Sequence, residues 1–595
     1  MTKLTRRDFL KASAAGFGSV VLSTSLIGCS SDTREPVALP YRVQFLHGVA
    51  SGDPAADAVI LWTRVSADAA TVPITWQLAQ DKNFNQIIRS GNTTTSAHSD
   101  YTVKIDVRDL EAGTEYYYRF SAGTVTSATG RTKTLPDAGV SAVKLVVLSC
   151  SNYPAGYFHV YAKAAEINNL DAVVHLGDYI YEYGTDGYAT ENAAALGRLP
   201  QPATEILSLA DYRTRYGQYR TDSALQQLHA AAPFIAVWDD HEITNDAWRD
   251  GAENHQPDEG DFTLRKQAAL KAYFEWMPIR PAAANDEMTI YRQFEFGDLV
   301  NLLMLDTRVI GRDEQLSYAN YTDPVSGQLD SARFSADLLQ ANRTLLGGEQ
   351  LQWLLDKLSQ SDARWQLLGQ QVLMGRMLLP AAIATQQLSI SDFATLAALA
   401  QLAARAQAGD ASLTAQQLAY LQANQHKLTP QVLALLQLPP IPYNLDAWDG
   451  YPLEREQILA QAKSLNKKLI VLAGDTHNAW ANHIDLADGT AVAVELATSS
   501  VTSPGLEQYI GLPDRSTAAA TETGLVQLVQ GLQYTNVYDR GFMLLNINRD
   551  SVRCDWLYID NILAATANLL PGRQHTATVS WDINSAPRLT LAGQT

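Results

Sequence analysis

The sequence predicts an α/β protein with an N-terminal β-sandwich domain followed by a layered α/β domain that carries a helical insertion. Three observations predict it. Short alternating apolar runs recur at regular spacing before residue 136, near-continuous apolar strands alternate with helical segments after residue 141, and an Ala-, Leu- and Gln-rich stretch spans about 377–438. With 595 residues, 46% hydrophobic and 18% charged, the chain can bury a large core and is too long for one small domain. Its 45 basic against 63 acidic residues give a formal charge of -18, which excludes nucleic acid as a stable partner held through its phosphates. Three cysteines, Cys29, Cys150 and Cys554, cannot build a disulfide framework, so packing must supply stability.

The first element, 1–28, reads as an export signal. Thr5-Arg6-Arg7-Asp8-Phe9-Leu10-Lys11 is a twin-arginine pattern, and a weakly apolar run rich in Ala, Gly, Ser and Val follows. That run is short and broken by Ser, Thr and Gly, which makes a permanent membrane helix the weaker reading. Leu26-Ile27-Gly28-Cys29 resembles a bacterial lipobox, in which Cys29 becomes the lipidated first residue and 29–40 a polar tether; cleavage without lipid is the alternative. The expected location is outside the cytoplasm, periplasmic or cell-surface, as a membrane-anchored lipoprotein delivered by the twin-arginine export machinery. That route carries folded proteins, which suits an enzyme that takes up metal before it leaves.

In the next element, 41–136, runs such as Ile74-Thr75-Trp76-Gln77-Leu78 and Tyr116-Tyr117-Tyr118-Arg119-Phe120 alternate between turn residues as sandwich strands do. From 141 to 595 the texture is that of buried strands and helices. Five segments, 144–150, 171–178, 233–240, 300–308 and 467–475, are apolar runs that nearly all end in polar residues. In open α/β sheets such strand ends are where sites are assembled. The 377–438 stretch has helical periodicity with breaks at Gly409 and Pro430, and reads as a lid or a packing appendage.

The chemistry sits at those ends. Cys150 closes the first run. Asp178 follows Gly177 at the second, with Tyr181 three residues on; one carboxylate can bridge two cations because its oxygens address different metals. The third run leads into Asp239-Asp240-His241-Glu242-Ile243-Thr244-Asn245-Asp246, and the last into Gly474-Asp475-Thr476-His477. On an extended segment Asp475 and His477 point the same way and can reach one ion. Together the blocks predict a shared metal centre. Arg308 at another strand end offers either a fork for a phosphate oxygen or a structural pair with Asp306 or another carboxylate.

This series resembles the five-block signature of calcineurin-like metallophosphoesterases, and more closely the PhoD-type alkaline phosphatase family, in which Cys and Tyr stand in place of the usual His and Asn ligands. The segment 45–54, Phe-Leu-His-Gly-Val-Ala-Ser-Gly-Asp-Pro, is similar to that family's sandwich domain. The resemblance implies a metallophosphoesterase catalytic domain over 141–595. It implies Asp178 as the bridging carboxylate, with Cys150, Tyr181 and His477 on a ferric ion and Asp240, Asn245 and Asp475 on calcium. From spacing alone, zinc or manganese stays open. It implies His241 as the acid, or as a phosphate-binding group, in metal-activated hydroxide attack on a phosphate mono- or diester. The competing readings are a phospholipase-type or wall-polymer phosphodiesterase and, in another class, an inactive lipid-anchored binding protein. A Ser nucleophile hydrolase is disfavoured, since no Gly-x-Ser-x-Gly elbow is present.

Overall fold

Two β-sheets packed face to face organise the computed structural model, which describes residues 38–592 except 285, 326–327, 386 and 582–586. The signal at 1–28, Cys29 and the tether up to residue 37 lie outside the described residues. Among those described, no helix is long and apolar enough to cross a membrane.

The first sheet has ten strands. Its centre is Ala142–Leu148, Ala172–His175 and Phe234–Ala236, all parallel, and it continues through Gly541–Asn548, Ser551–Tyr558, His575–Ser580 and Arg588–Leu591 on one flank. The second sheet has seven strands, with Val300–Met304, Trp365–Gly369, Leu469–Ala473 and Ala491–Ala497 parallel. These strands are buried on both faces, hence their near-continuous apolar runs, in which buried Asn301 donates to Gln366 of the neighbouring strand at 2.7 Å. Val146, Val174 and Ile235 of the first sheet and Leu302, Ile470 and Leu496 of the second share one core, each side chain contributing about 1.5–3 kcal/mol on burial. Helices cover both outer faces. Leu209–Tyr219 and Ser223–Ala231 bury Tyr216 and Leu228 over the first sheet, while Gly348–Gln360 and Pro452–Ser464 bury Leu354 and Ile458 over the second.

The N-terminal sandwich is sewn into this arrangement. One of its sheets contains Gly130–Lys133, Glu115–Ala122, Thr71–Ala79 and Ile87–Ser96. It packs through Ile74, Leu78, Tyr118 and Phe120 against Val49, Val59, Leu61 and Val103. Those last residues belong to strands Val49–Gly52, Val59–Arg64 and Thr102–Val107, which extend the ten-stranded sheet. Gly52 pairs in parallel with Phe234. A Cβ there would lie 2.3 Å from the Pro278 carbonyl oxygen, so only glycine allows the approach. Asp53 then takes a two-pronged hydrogen bond from Arg292 at 2.7 and 2.9 Å. One short parallel pairing between segments some 180 residues apart leaves Gly52 as its one local trace in sequence.

Residues 378–442 form an excursion closed at its base by an antiparallel ribbon of Leu378–Pro380 and Pro440–Pro442. Between them lie helices Ile390–Gln407, Ala415–Asn424 and Pro430–Leu436, started by Ser389, Thr414 and Thr429, whose hydroxyls each accept an N–H of the first turn.

Candidate metal centre

The site forms where strand ends of both sheets meet. The strands stop short of the polar residues, at Leu148, His175, Ala236 and Ala473. Beyond them Cys150, Asp178, Asp475 and His477 adopt left-handed backbone, with φ of 62, 54, 57 and 61°. Each such residue costs roughly 1–2 kcal/mol, a strain that packing around a site can hold. Gly177 is required, because a Cβ there would lie 2.5 Å from Asp239 Cβ. Buried Glu242 pins both ends, accepting the backbone N–H of Asp178 at 3.1 Å, of Tyr179 at 2.5 Å and of Asp239 at 2.7 Å.

On one side, ligand atoms of Cys150, Asp178 and His477 lie within 4.8 Å of one another, all buried. The Tyr181 hydroxyl donates to Asp178 Oδ2 at 3.0 Å, lies 3.1 Å from His477 Nε2, and accepts from Ser503 Oγ at 2.6 Å. His477 Nδ1 is 2.6 Å from the Pro504 carbonyl oxygen; that bond needs the proton on Nδ1 and leaves the Nε2 lone pair for a ligand. Asp178 Oδ1 is buried with no hydrogen-bond partner. Burial, reinforced by the Asp178 charge, pushes the Cys150 thiol well above its usual range. A bound cation reverses both effects, so this donor set fits a metal ion.

On the other side, Asp239, Asp240 and Asp475 lie within 4.8 Å, as do Asp178, Asp240 and His241. Arg308, fully buried, is their counter-cation. Its Nε donates to Asp239 at 2.6 Å, Nη1 to Asp446 at 2.8 Å and Nη2 to Asp475 at 2.9 Å, and Asp240 Oδ1 lies 3.8 Å away. One guanidinium does not balance this much negative charge. Burial pushes Asp239 and Asp475 well above the carboxylate range even though Arg308 opposes it. Asp240 resists the same burial, since Arg308 and His241 hold it at about 2. Asp239 Oδ2 also has no partner. An excess of buried carboxylate oxygen of this kind suits hard cations.

His241 Nδ1 sits 2.7 Å from Glu182 Oε2. Burial disfavours its charged form, but Glu182, Asp240 and Asp178 override that and raise its pKa well above the ordinary value. Glu182 is lowered correspondingly: its own burial is outweighed by His241, by the Asn245 N–H and by Asn254.

The structure thus brings Cys150, Asp178, Tyr181, Asp240, His241, Asp475, His477 and Arg308 to one place. Asn245 stands beside it with its side-chain amide on Glu253 at 3.2 Å and its backbone N–H on Glu182 at 2.8 Å. Two local expectations change. Asp475 and His477 are not on extended backbone and fall into opposite groups, because the left-handed turns at both residues swing their side chains apart. Arg308 pairs with Asp239, Asp446 and Asp475; Asp306 Oδ1 instead accepts the backbone N–H of Arg308 and Val309, at 2.9 and 2.8 Å. Four residues join the site that sequence reasoning assigned no role: Asp239, Glu182, Glu242 and Asp446. The first three adjoin proposed ligands or the acid, a signal available in sequence; Asp446, just past the helical excursion, had none.

Comparison with known proteins shows the family. A family model for the PhoD-like phosphatase matches residues 145–556, and one for the PhoD-like phosphatase N-terminal domain matches 30–136. Alkaline phosphatase D of Bacillus subtilis (strain 168) is 33% identical over 519 residues, 84% of this chain and 76% of that protein. The solved structure of PhoD is similar at a TM-score of 0.70 and 29% identity, covering 93% of this chain and 92% of that one.

Proposed function

The chain belongs to the PhoD-like phosphatase family, and from that premise we propose that it hydrolyses phosphate mono- and diesters at a two-cation centre. The observation that carries this reading is the convergence of two buried donor groups that share Asp178. Cys150, Tyr181 and His477 would hold a ferric ion with Asp178, since thiolate and phenolate stabilise high-valent iron. Asp178, Asp240, Asn245 and Asp475 would hold calcium, a hard cation that favours carboxylate and amide oxygens, and Asp239 adds a further oxygen. When bound, the cations supply Lewis acidity and a hydroxide nucleophile for in-line displacement at phosphorus.

The remaining steps belong to the chain's own residues. His241, kept protonated by Glu182, gives a proton to the leaving oxygen as its bond to phosphorus breaks. With Nδ1 on Glu182, Nε2 is the nitrogen available for this transfer. Arg308 holds the carboxylates together, each of its three nitrogens donating to one of them. Exported on the twin-arginine pattern and lipidated at Cys29, the enzyme would act at the outer membrane–water boundary of its compartment.

Elemental analysis of purified protein, with rates on a monoester and a diester, tests the reading. Iron and calcium in stoichiometric amount, a visible tyrosinate-to-iron absorption band and hydrolysis of either ester are expected. Metal-replete protein that turns over neither ester, or full activity after complete chelation, would overturn it. Cys29→Ala should move the exported protein from the membrane fraction to the soluble one; unchanged membrane retention would remove the lipid anchor.

A further inference from the structure

Two tyrosines flank the centre and two more lie on the segments that lead away from it. The Tyr183 ring lies 5.6 Å from that of His241, and the Tyr188 ring stacks on His477 at 6.3 Å and 27°. These two tyrosines are themselves 5.9 Å apart. A leaving group protonated by His241 is therefore released beside aromatic rings. Among the described residues, the Tyr183 hydroxyl has no hydrogen-bond partner. Farther out along the chain, Tyr509 follows by five residues Pro504, whose carbonyl accepts the Tyr188 hydroxyl at 2.8 Å, and Tyr443 precedes by three residues Asp446, which Arg308 holds at the centre. Tyr509 is 69% exposed and Tyr443 40% exposed, so both present ring area to solvent.

Both outer tyrosines are mounted on anchored backbone. Tyr443 directly follows the ribbon that closes the helical excursion; its N–H donates to the Met377 carbonyl at 2.9 Å, and the Tyr318 hydroxyl holds Pro442 O at 2.6 Å. Tyr509 ends the short turn Leu506–Tyr509, whose first N–H donates to Asn478 Oδ1 at 3.1 Å, one residue from His477. Cations at this rim are already committed. Arg540 is paired with Glu507, two residues before Tyr509, and with the Thr502 and Tyr538 carbonyls. The rim offers ring faces and hydroxyls, on a chain of net charge -18.

We propose that Tyr183, Tyr188, Tyr443 and Tyr509 form a leaving-group subsite for a flat, uncharged ring, aryl or heterocyclic, attached to the phosphate ester. The inference rests on the phosphoesterase reading above. Tyrosine gives a large contact area at low entropic cost, and stacking accepts any ring face. The excursion at 378–442 acts on specificity through the residue at its base.

The test uses full-length, metal-loaded enzyme with Tyr509→Ala, Tyr443→Ala and the double variant, none of which alters a proposed ligand or the acid. Rates are measured on an aryl alkyl phosphodiester and on a dialkyl phosphodiester of equal charge. For the aryl ester the double variant should lose roughly tenfold in kcat/KM, mainly through KM. For the dialkyl ester it should stay within about twofold, with metal content unchanged. Equal losses on both esters, or no loss on either, overturn the subsite. A wild-type enzyme that cleaves neither ester points instead to failure of the phosphoesterase reading.

Discussion

On the sulfur side of the centre each donor is oriented by a hydrogen bond to an uncharged neighbour: His477 by the Pro504 carbonyl, Tyr181 by Ser503, Cys150 by Ser149. On the carboxylate side Asp239 and Asp475 are held by one buried cation, Arg308, which shares Asp446 with buried Arg312. The first arrangement fixes geometry without adding charge. The second confines charge that would otherwise drive the carboxylates apart, at the desolvation cost of a buried guanidinium. Removing a partner should therefore weaken metal binding on the sulfur side and the fold itself on the carboxylate side.

The sharpest break comes where the two sides join. Asp178→Asn removes the shared carboxylate, and kcat should fall by about 10³ or more with loss of both metals by elemental analysis. A variant that keeps both metals and its rate would separate the two sides completely. Next is Arg308→Met, which leaves buried carboxylates uncompensated. Denaturant unfolding of the metal-free protein should show a loss of about 3–5 kcal/mol, partly recovered when cations are added back. If metal-free Arg308→Met is as stable as its parent, the carboxylate side does not depend on its counter-cation.

The two sides were also unequally legible in sequence. Cys150, Asp178, Asp240, Asp475 and His477 each follow an unbroken apolar run, and such runs mark strand ends without any knowledge of pairing. Asp446 follows a neutral helical excursion with no strand before it, so only the closed ribbon brings it to Arg308. The role of Arg308 itself was undecidable, because a fork that binds phosphate and one that binds carboxylates read alike. At the level of fold, alternation announced the sandwich strands. The joining of Val49–Gly52 to Phe234–Ala236 rests on one long-range pairing and left only Gly52 as a trace.

A smaller effect is expected from Cys150→Ser. The oxygen keeps the shape but not the softness of the donor, so iron affinity and activity should drop about ten- to hundredfold while the melting temperature changes little. Loss of fold in this variant would mean that Cys150 acts in packing, as buried Cys554 does.

The mildest change lies outside both donor groups. In the metal-free chain Glu182, Asp240 and Asp178 all raise the His241 pKa against burial. Cations bound at Asp178 and Asp240 offset those two charges, which leaves Glu182 as the lever. A histidine with a raised pKa keeps its acid form below that pKa and loses it as pH rises through it. Glu182→Gln lowers the pKa, so the alkaline limb of kcat should begin at lower pH, with the rate below it changed by less than about tenfold. The N–H of Asn245 and the amide of Asn254 still find an oxygen at position 182, which keeps the loop in place. An unchanged pH profile at unchanged metal content would mean that His241 is not the proton donor, since among the described residues Glu182 alone is hydrogen-bonded to its ring.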